Sequence, residues 1–193
     1  LRGALPEELP QLEIDHRAPL GIDVDFPDPG SIGADRLANA AAVVALYDVA
    51  PAIVVDFGTA VTFDIISAQR AYIGGVIAPG LAAMTDYLHD HTALLPKIDL
   101  REPPTAIGKS TVDAMLSGAV HGYRGLVRGI LSEVIAELAT ADPEAPPPKV
   151  VATGGYADLI AAGLPELSEV NEWLTLEGLR LVGNQHFTID DSK

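Results

Sequence analysis

The segment that decides the fold is Val54-Val55-Asp56-Phe57-Gly58-Thr59-Ala60-Val61-Thr62. Its β-branched start is typical of a buried strand, and the Gly-Thr pair predicts a tight turn into a second strand. Gly58 lets the main chain approach an anion without a Cβ in the way, and the hydroxyl and N–H of Thr59 can hold a phosphate oxygen. Asp56, at the strand end, can hold a metal ion beside that phosphate. Taken alone, the motif is equally compatible with an ordinary hairpin turn that has a polar strand end.

The rest of the chain predicts an α/β fold. Strands around residues 53–55, 61–66 and 72–78 are expected to form an antiparallel meander, and a strand at 150–152 follows after a crossover. A short strand is predicted at 22–26, where apolar and acidic residues alternate. Helices are predicted over residues 34–47, 81–88, 111–138 and 157–162, and a last helix is expected to begin near residue 175.

The composition of the 193 residues excludes several classes of protein. The chain is 48% hydrophobic and 20% charged, which is typical of a globular protein, and its apolar runs are too short to span a bilayer. The absence of cysteine excludes disulfide and thiolate chemistry and indicates a cytoplasmic protein. The net charge of −15 argues against nucleic acid and anionic membranes as partners, so local groups must hold any phosphorylated ligand.

A second candidate motif, Gly33-Ala34-Asp35-Arg36, lies at the predicted start of the first long helix. Asp35 could accept a proton from a substrate hydroxyl, and Arg36 could bind a substrate carboxylate through two hydrogen bonds. The positive end of the helix dipole favours an anion there. For this motif alone, a helix-start aspartate beside a surface arginine is the better supported interpretation.

Three further glycine motifs have both a ligand and a structural interpretation. Gly74-Gly75 within a strand indicates close approach of a ligand or a second backbone, or else a bulge. Thr153-Gly154-Gly155 could seat a nucleotide base or ribose, or could be a tight turn between a strand and a helix. Gly108-Lys109-Ser110-Thr111 fails the Walker spacing because Pro103 stands where the first glycine should be, although Thr111 could hydrogen-bond a substrate.

Four glycines of the predicted long helix, Gly118, Gly122, Gly125 and Gly129, lie on one helical face. Each costs about 1 kcal/mol relative to alanine in a helix interior. Close packing of a second helix would compensate for that cost. We therefore predict a structural helix–helix contact along this face, such as a dimer interface.

The order and spacing of these motifs, together with Leu95-Pro96 and Leu174–Leu179, closely resemble type III pantothenate kinase from about Phe26 to Val182. The resemblance implies the actin-like (ribonuclease H-like) ATPase fold of the actin/hexokinase-like kinases, an α/β fold with a mixed sheet and helices. It implies that residues 1–48 are a remnant of the first actin-like domain and that residues 49–193 form the second. Family members open with a D-x-G-N-T phosphate loop that nothing here matches. Since the chain also begins with Leu1 rather than Met, we expect an incomplete N-terminal half-domain.

The resemblance also implies an activity, the ATP-dependent phosphorylation of the primary hydroxyl of pantothenate, which is the first step of coenzyme A biosynthesis. Asp35 matches the proton acceptor of the family, and Asp56 matches its ligand for a monovalent cation (K⁺ or NH₄⁺), with Mg²⁺ accompanying ATP. The residues that match substrate-binding positions are Phe26, Gly33, Ala34, Asp35, Arg36 and Thr111. The residues assigned to ATP are Gly58, Thr59, Gly154 and Gly155. Family members are homodimers with sites near the subunit interface.

One departure from the family pattern concerns the substrate site. Phe26 stands where the family usually has a substrate-contacting tyrosine, so one hydrogen bond is missing.

Two other functions stay open. The first is a catalytically inactive member with a regulatory or scaffolding role, which the missing phosphate loop would permit. The second is another actin-like phosphotransferase that acts on a different small acid.

Overall fold

A mixed six-stranded sheet forms the centre of the computed structural model, which describes residues 11–187. Its strands, numbered along the chain, are β1 (Asp23–Val24), β2 (Ala52–Phe57), β3 (Ala60–Ile66), β4 (Ala71–Pro79), β5 (Lys149–Thr153) and β6 (Glu169–Val170). Across the sheet they lie in the order β1–β4–β3–β2–β5–β6. Strands β2, β3 and β4 form an antiparallel meander, whereas β1 pairs with β4, β5 with β2 and β6 with β5 in parallel.

Helices cover both faces of this sheet. The α-helices of the described residues are α1 (Ala34–Tyr47), α2 (Leu81–Asp90), α3 (Thr111–Ala141), α4 (Ala157–Ala161) and α5 (Leu174–Phe187), and a short 3₁₀ helix spans Pro29–Ser31. Helix α1 and the start of α5 share one buried cluster with the sheet, and α3 and α4 share another on the opposite face. The chain is therefore a three-layer α/β structure.

Strand β2 separates the two cores. Ile53, Val55 and Phe57 are buried in the cluster that includes α3, whereas Ala52 and Val54 are buried in the cluster that includes α1. A central strand covered on both faces reads as a continuous apolar run, which is why this segment is recognisable in the sequence. The alternation also places the side chain that follows Val54 by two residues, Asp56, on the α1 side of the sheet.

Most of the predicted elements are confirmed. The meander, the parallel crossover strand β5, the short strand β1 and the long helix α3 all form where the sequence pattern indicates them. Ser110 caps α3, since its hydroxyl oxygen accepts the Asp113 N–H at 3.1 Å. Strand β6 was not predicted, because two residues are too short to show a period. The boundary after residue 48 stays a prediction, and α1 and β1 contribute to the same core and sheet as the residues beyond it.

The glycine face of α3 has no partner within the described chain. A Cβ added at Gly118, Gly122, Gly125 or Gly129 would meet nothing within 4 Å among residues 11–187. The predicted helix–helix contact is therefore not made among residues 11–187. A separate observation concerns membranes: across residues 11–187, the helices are all too short or too polar to cross a bilayer.

The contact between α1 and α5 depends on one glycine. A Cβ on Gly178 of α5 would lie 2.0 Å from the carbonyl oxygen of Ala38 in α1. That oxygen belongs to a buried helix backbone and cannot move without displacing α1. The two helices therefore approach as closely as they do because residue 178 has no side chain.

We expect Gly178→Ala to lower the free energy of unfolding by about 2 kcal/mol, because the new methyl group forces α1 and α5 apart. Urea unfolding of the variant and the parent protein measures this difference. Gly183→Ala, on the same helix, is the matched control, since its Cβ would meet nothing within 4 Å. The control should be neutral or more stable by up to about 1 kcal/mol. Equal effects of the two substitutions would contradict the packing argument.

Candidate active site

Helix α1 begins with Asp35 and Arg36 side by side. Gly33 is the N-cap, and its carbonyl oxygen accepts the Arg36 N–H at 3.1 Å, while Ala34 is the exposed first residue of the helix. The exposed Asp35 carboxylate turns back to the helix start, where Oδ1 accepts the Arg36 N–H at 3.0 Å. A Cβ on Gly33 would lie 2.5 Å from that oxygen, so glycine leaves the space that the carboxylate occupies. Asp35 is thus accessible to a substrate hydroxyl.

The Arg36 side chain crosses to β3 instead of entering solvent. Its Nε donates to Asp64 Oδ1 at 2.6 Å, and its Nη2 donates to the Phe63 carbonyl oxygen at 3.2 Å. The Tyr72 hydroxyl donates to the same Asp64 oxygen at 3.3 Å, and the Arg36 guanidinium carbon lies 5.8 Å from the centre of the Tyr72 ring. Asp64 and Tyr72 are fully buried, and the Arg36 side chain is 15% exposed. Arg36 is therefore not a free surface arginine.

The paired glycines of β4 make room for this arginine. A Cβ on Gly75 would lie 2.0 Å from Arg36 Nη2 and 2.1 Å from the Phe63 carbonyl oxygen. Gly74 has φ 143°, a conformation that side chains rarely adopt, and the β3–β4 register shifts next to it. Both structural interpretations of the pair therefore apply, a close approach and a bulge. Phe26 is half-buried nearby, with its ring edge-on to Tyr72 at a centroid distance of 6.1 Å.

Asp56 ends β2 on the α1 side, where buried polar groups hold it. Its Oδ2 accepts a hydrogen bond from Asn39 Nδ2 at 3.1 Å, and Asn39 Oδ1 in turn accepts from the Thr175 hydroxyl at 2.7 Å. Asn39 is fully buried in α1, and Asp56 is half-buried. This chain of hydrogen bonds fixes the carboxylate between α1 and the start of α5.

The tip of the β2–β3 hairpin is formed by the exposed residues Gly58 and Thr59. The Gly58 N–H donates to the Ala60 carbonyl oxygen at 3.1 Å, so this amide is already used within the turn. The Thr59 carbonyl oxygen accepts the Gly80 N–H at 3.1 Å, which joins the hairpin to the start of α2. The N–H and hydroxyl of Thr59 donate to no atom of residues 11–187. They are the groups that this turn can offer to a phosphate oxygen.

The turn after β5 approaches the same aspartate. Gly154 has φ 91°, and a Cβ there would lie 2.6 Å from Asp56 Oδ1 and 2.7 Å from the Phe57 nitrogen. An internal close contact therefore suffices to explain Gly154. Gly155 is exposed, and a Cβ there would meet nothing within 4 Å. Gly155 is the one of the two whose bare backbone is open to a ligand, and the assignment of both to ATP stays a prediction.

The charge of Asp35 disfavours the ionisation of two neighbouring carboxyl groups, Asp64 and Asp56, and so adds to the rise in their pKa values. Burial raises the pKa of Asp64 to about 7, the Arg36 and Tyr72 contacts oppose the rise, and the charge of Asp35 adds to it. Burial likewise raises the pKa of Asp56, which the hydrogen bond from Asn39 opposes and the charge of Asp35 increases. Carboxyl groups whose pKa values are raised by burial and by a neighbouring negative charge mark a site where added positive charge is favourable.

The raised pKa of Asp64 should make the free energy of unfolding depend on pH. Its pKa in the folded protein, about 7, lies above the ordinary value of 3.8, so the folded state binds more protons between these two values. The contribution of Asp64 is therefore complete below about pH 4 and is lost as the pH rises through about 7. In urea unfolding at pH values from about 5 to about 8, the parent protein should lose more stability than Asp64→Asn. The same pH dependence in both proteins would contradict this.

Thr111 lies at the start of α3, in a groove that Pro79 at the end of β4 also lines. It is the exposed first residue of α3 and lines an apolar groove of about 720 Å³ between α2 and α3, with Met84, Leu88 and Met115 among its neighbours. No hydrogen bond, ion pair or ring contact among residues 11–187 links Thr111 to Asp35. None of the contacts described above for α1 and the hairpin includes Thr111. Its assignment to substrate stays a prediction.

Sequence reasoning missed three polar residues of this region: Asn39, Asp64 and Tyr72. A signal was present for two of them. Asp64 interrupts an otherwise apolar half of β3, and Asn39 interrupts the apolar stretch from Leu37 to Val44. A polar residue on the buried side of a strand or helix is found there only when it has a partner. The alternation rule alone did not identify which residue the partner would be.

The donor atoms of the site fit a hard cation. Asp56 offers carboxylate oxygens, and because burial and the charge of Asp35 raise the pKa of this carboxyl, a bound cation would stabilise its ionised form. Oxygen donors suit K⁺, NH₄⁺ or Mg²⁺. Within residues 11–187, no group of three or more His, Cys, Asp or Glu side chains is arranged to hold a metal ion. A cation at Asp56 would therefore complete its shell with main-chain carbonyl oxygens, water or ligand phosphates.

The mixed six-stranded sheet with helices on both faces defines the class of this protein as a three-layer α/β fold. The model of the type III pantothenate kinase family matches residues 8–133, and the chain belongs to that family.

Two curated relatives, both type III pantothenate kinases, agree with this membership. The protein of Akkermansia muciniphila is 57% identical over 162 residues, covering 84% of this chain and 64% of the relative. The protein of Methylacidiphilum infernorum is 48% identical over 171 residues, covering 89% and 61%. The chain thus spans about three fifths of the length of these relatives. A solved Baf family protein from Campylobacter jejuni shares the fold, with a TM-score of 0.54 at 23% identity over 82% of this chain and 67% of that one.

Proposed function

We propose that this protein is an ATP-dependent kinase that converts pantothenate to 4′-phosphopantothenate in coenzyme A biosynthesis. The observation that carries the proposal is the start of α1, where an exposed carboxylate, Asp35, adjoins an immobilised guanidinium, Arg36. Pantothenate has a primary hydroxyl at one end and a carboxylate at the other. Consecutive residues of a helix point about 100° apart, so the two side chains can engage different ends of one substrate.

In this proposal, Asp35 accepts the hydroxyl proton as the hydroxyl oxygen attacks the γ-phosphorus of ATP, and the bond from that phosphorus to the β–γ bridging oxygen breaks to release ADP. Arg36 binds the substrate carboxylate and so holds the hydroxyl in place. The hydroxyl and N–H of Thr59 contact an ATP phosphate at the hairpin tip, and Gly155 leaves the backbone open for the nucleotide. Asp56, fixed by Asn39, would hold a monovalent cation, and this cation with the Mg²⁺ of ATP would neutralise phosphate charge. The raised pKa values of Asp56 and Asp64 support a bound cation, because added positive charge would favour the ionised carboxylates.

An ATP-consumption assay on the complete gene product tests this function. Pantothenate, pantoate, β-alanine and unrelated hydroxy acids are supplied in turn, with and without K⁺. Consumption that depends on pantothenate and rises with K⁺ is expected. Consumption with another acid only would favour a different phosphotransferase. An absence of turnover with every acid would favour a regulatory or scaffolding protein.

We further propose that the protein works as a homodimer through the surface formed by α2 and α3. This surface has an apolar groove between the two helices, and Met84, Tyr87 and Leu88 are 41%, 61% and 41% exposed on it. The unpartnered glycine face of α3 continues from the groove at Gly118. A second copy would bury the apolar groups and compensate for the glycines. It would also carry its own Thr111 next to a shared interface.

Leu88→Asp should convert the dimer to a monomer, because a carboxylate would enter the apolar interface. Sedimentation equilibrium measures the mass. Leu46→Asp is the matched control, since Leu46 is 40% exposed on α1, on the other side of the sheet. The control should stay dimeric. A Leu88→Asp protein with the parent's mass would refute this interface, as would a monomeric parent.

A further inference from the structure

We infer that Asp64, supported by Tyr72, is a positioning residue that fixes Arg36 for recognition of the substrate carboxylate. The inference rests on the proposed function and adds to it a residue that determines specificity for an acid substrate. Asp64 itself is fully buried and does not touch the substrate. It acts through the guanidinium that it holds.

The guanidinium is held on three sides. The Arg36 Nε–H donates to Asp64 Oδ1 at 2.6 Å, and Nη2 donates to the Phe63 carbonyl oxygen at 3.2 Å. The centre of the Tyr72 ring lies 5.8 Å from the guanidinium carbon. Nη1 makes no hydrogen bond or ion pair within residues 11–187. The donors left over are therefore those of Nη1 and the second N–H of Nη2. Two adjacent terminal nitrogens can grip a carboxylate with two parallel hydrogen bonds.

Stability alone does not explain a buried carboxylate at this position. Taking an ion pair out of water costs several kcal/mol per ion, and apolar residues of similar size often replace such pairs without loss. Asp64 Oδ2 also has no hydrogen-bond partner among the described atoms, although the side chain is fully buried. Folding stability alone therefore does not account for the Arg36–Asp64 contact, which also leaves the guanidinium in one orientation. An arginine fixed before binding loses less side-chain entropy when it meets its ligand.

The residues around the Arg36 guanidinium also hold it in this position. Gly75 lacks the Cβ that would lie 2.0 Å from Arg36 Nη2, so β4 allows the guanidinium to approach its backbone closely. Tyr72 reaches Asp64 with its hydroxyl and Arg36 with its ring. Phe26, at a predicted substrate position, packs edge-on against Tyr72. The same side chains therefore connect the arginine to the substrate-facing surface.

The test compares pantothenate with pantothenyl alcohol, in which a hydroxymethyl group replaces the carboxylate. In the complete gene product, Asp64→Asn should raise the KM for pantothenate roughly tenfold and leave the KM for the alcohol within about twofold, with kcat changed less than about threefold. A merely structural role would shift both KM values together. In an Arg36→Lys background, Asp64→Asn should add no further acid-specific loss, because the group it positions is already gone.

Tyr72→Phe serves if Asp64→Asn does not fold, since it removes one hydrogen bond to Asp64 and keeps the packing. It should raise the KM for the acid about threefold and not that for the alcohol. An unchanged ratio of the two KM values in the variants, with an active parent enzyme, overturns the positioning role and leaves the proposed function intact. A parent enzyme that phosphorylates neither compound overturns the proposed function and this inference with it.

Discussion

Asp35→Asn in the complete gene product is expected to lower kcat by roughly 100-fold or more, because it removes the proposed acceptor for the substrate hydroxyl proton. The amide keeps the size of the side chain and can still accept the Arg36 N–H that Asp35 Oδ1 accepts at 3.0 Å. Folding and the helix start should therefore be preserved. Steady-state kinetics with pantothenate and ATP separate the loss in kcat from any change in KM.

Asp99→Asn is the control for this substitution, since Asp99 is an exposed aspartate in the loop before α3. It should keep the kinetics of the parent enzyme. Unchanged turnover in Asp35→Asn would exclude Asp35 as the proton acceptor.

Arg124→Ala is expected to lower the free energy of unfolding by about 3 kcal/mol, the largest stability effect that we predict for a single side chain. The Arg124 side chain is only 7% exposed, and its Nη1 and Nη2 donate to the two Glu102 carboxylate oxygens at 2.8 and 2.7 Å. Its Nε and Nη2 also donate to the carbonyl oxygens of Ile160 and Leu159 at 3.1 and 2.6 Å. One guanidinium thus joins α3, the preceding loop and the end of α4.

Arg128→Ala, one turn further along α3, is the matched control. Its Nε lies 2.6 Å from Glu166 Oε1, but the two side chains are 51% and 34% exposed. Exposed ion pairs contribute little, so this variant should lose less than about 1 kcal/mol. Urea unfolding at neutral pH measures the loss in free energy of unfolding for both variants. Similar losses in both would mean that the buried contacts of Arg124 do not stabilise the fold as the geometry indicates.

The layers of the fold were predictable because their signals are local. The β-branched run before Asp56, the turn at Gly58-Thr59 and the apolar period of α3 each depend on nearby residues alone. The same holds for the helix start at Gly33, which placed Asp35 correctly at an exposed N-terminus. Element type follows from such patterns because backbone geometry repeats at 2 or 3.6 residues.

What the sequence could not predict is which polar groups meet across the sheet. Asp64 and Arg36 are 28 residues apart, and their contact depends on the β3–β4 register and on the space at Gly75. The close approach of Gly154 to Asp56, which by itself requires a glycine, is not visible in the sequence, and the contact of Gly154 with ATP stays a prediction. Thr111 lines a groove between α2 and α3, and its contact with substrate stays a prediction. These relations are set by three-dimensional packing, which a one-residue change in register would alter.

The most direct test of the account is the structure of the reaction product. The complete gene product is incubated with ATP, Mg²⁺, K⁺ and pantothenate, and the product is examined by ³¹P NMR with proton coupling. We predict a phosphomonoester whose phosphorus couples to the methylene protons of the primary alcohol, with one ADP formed per ester. ATP hydrolysis without phosphorylated pantothenate, or phosphate on any other oxygen, would contradict it.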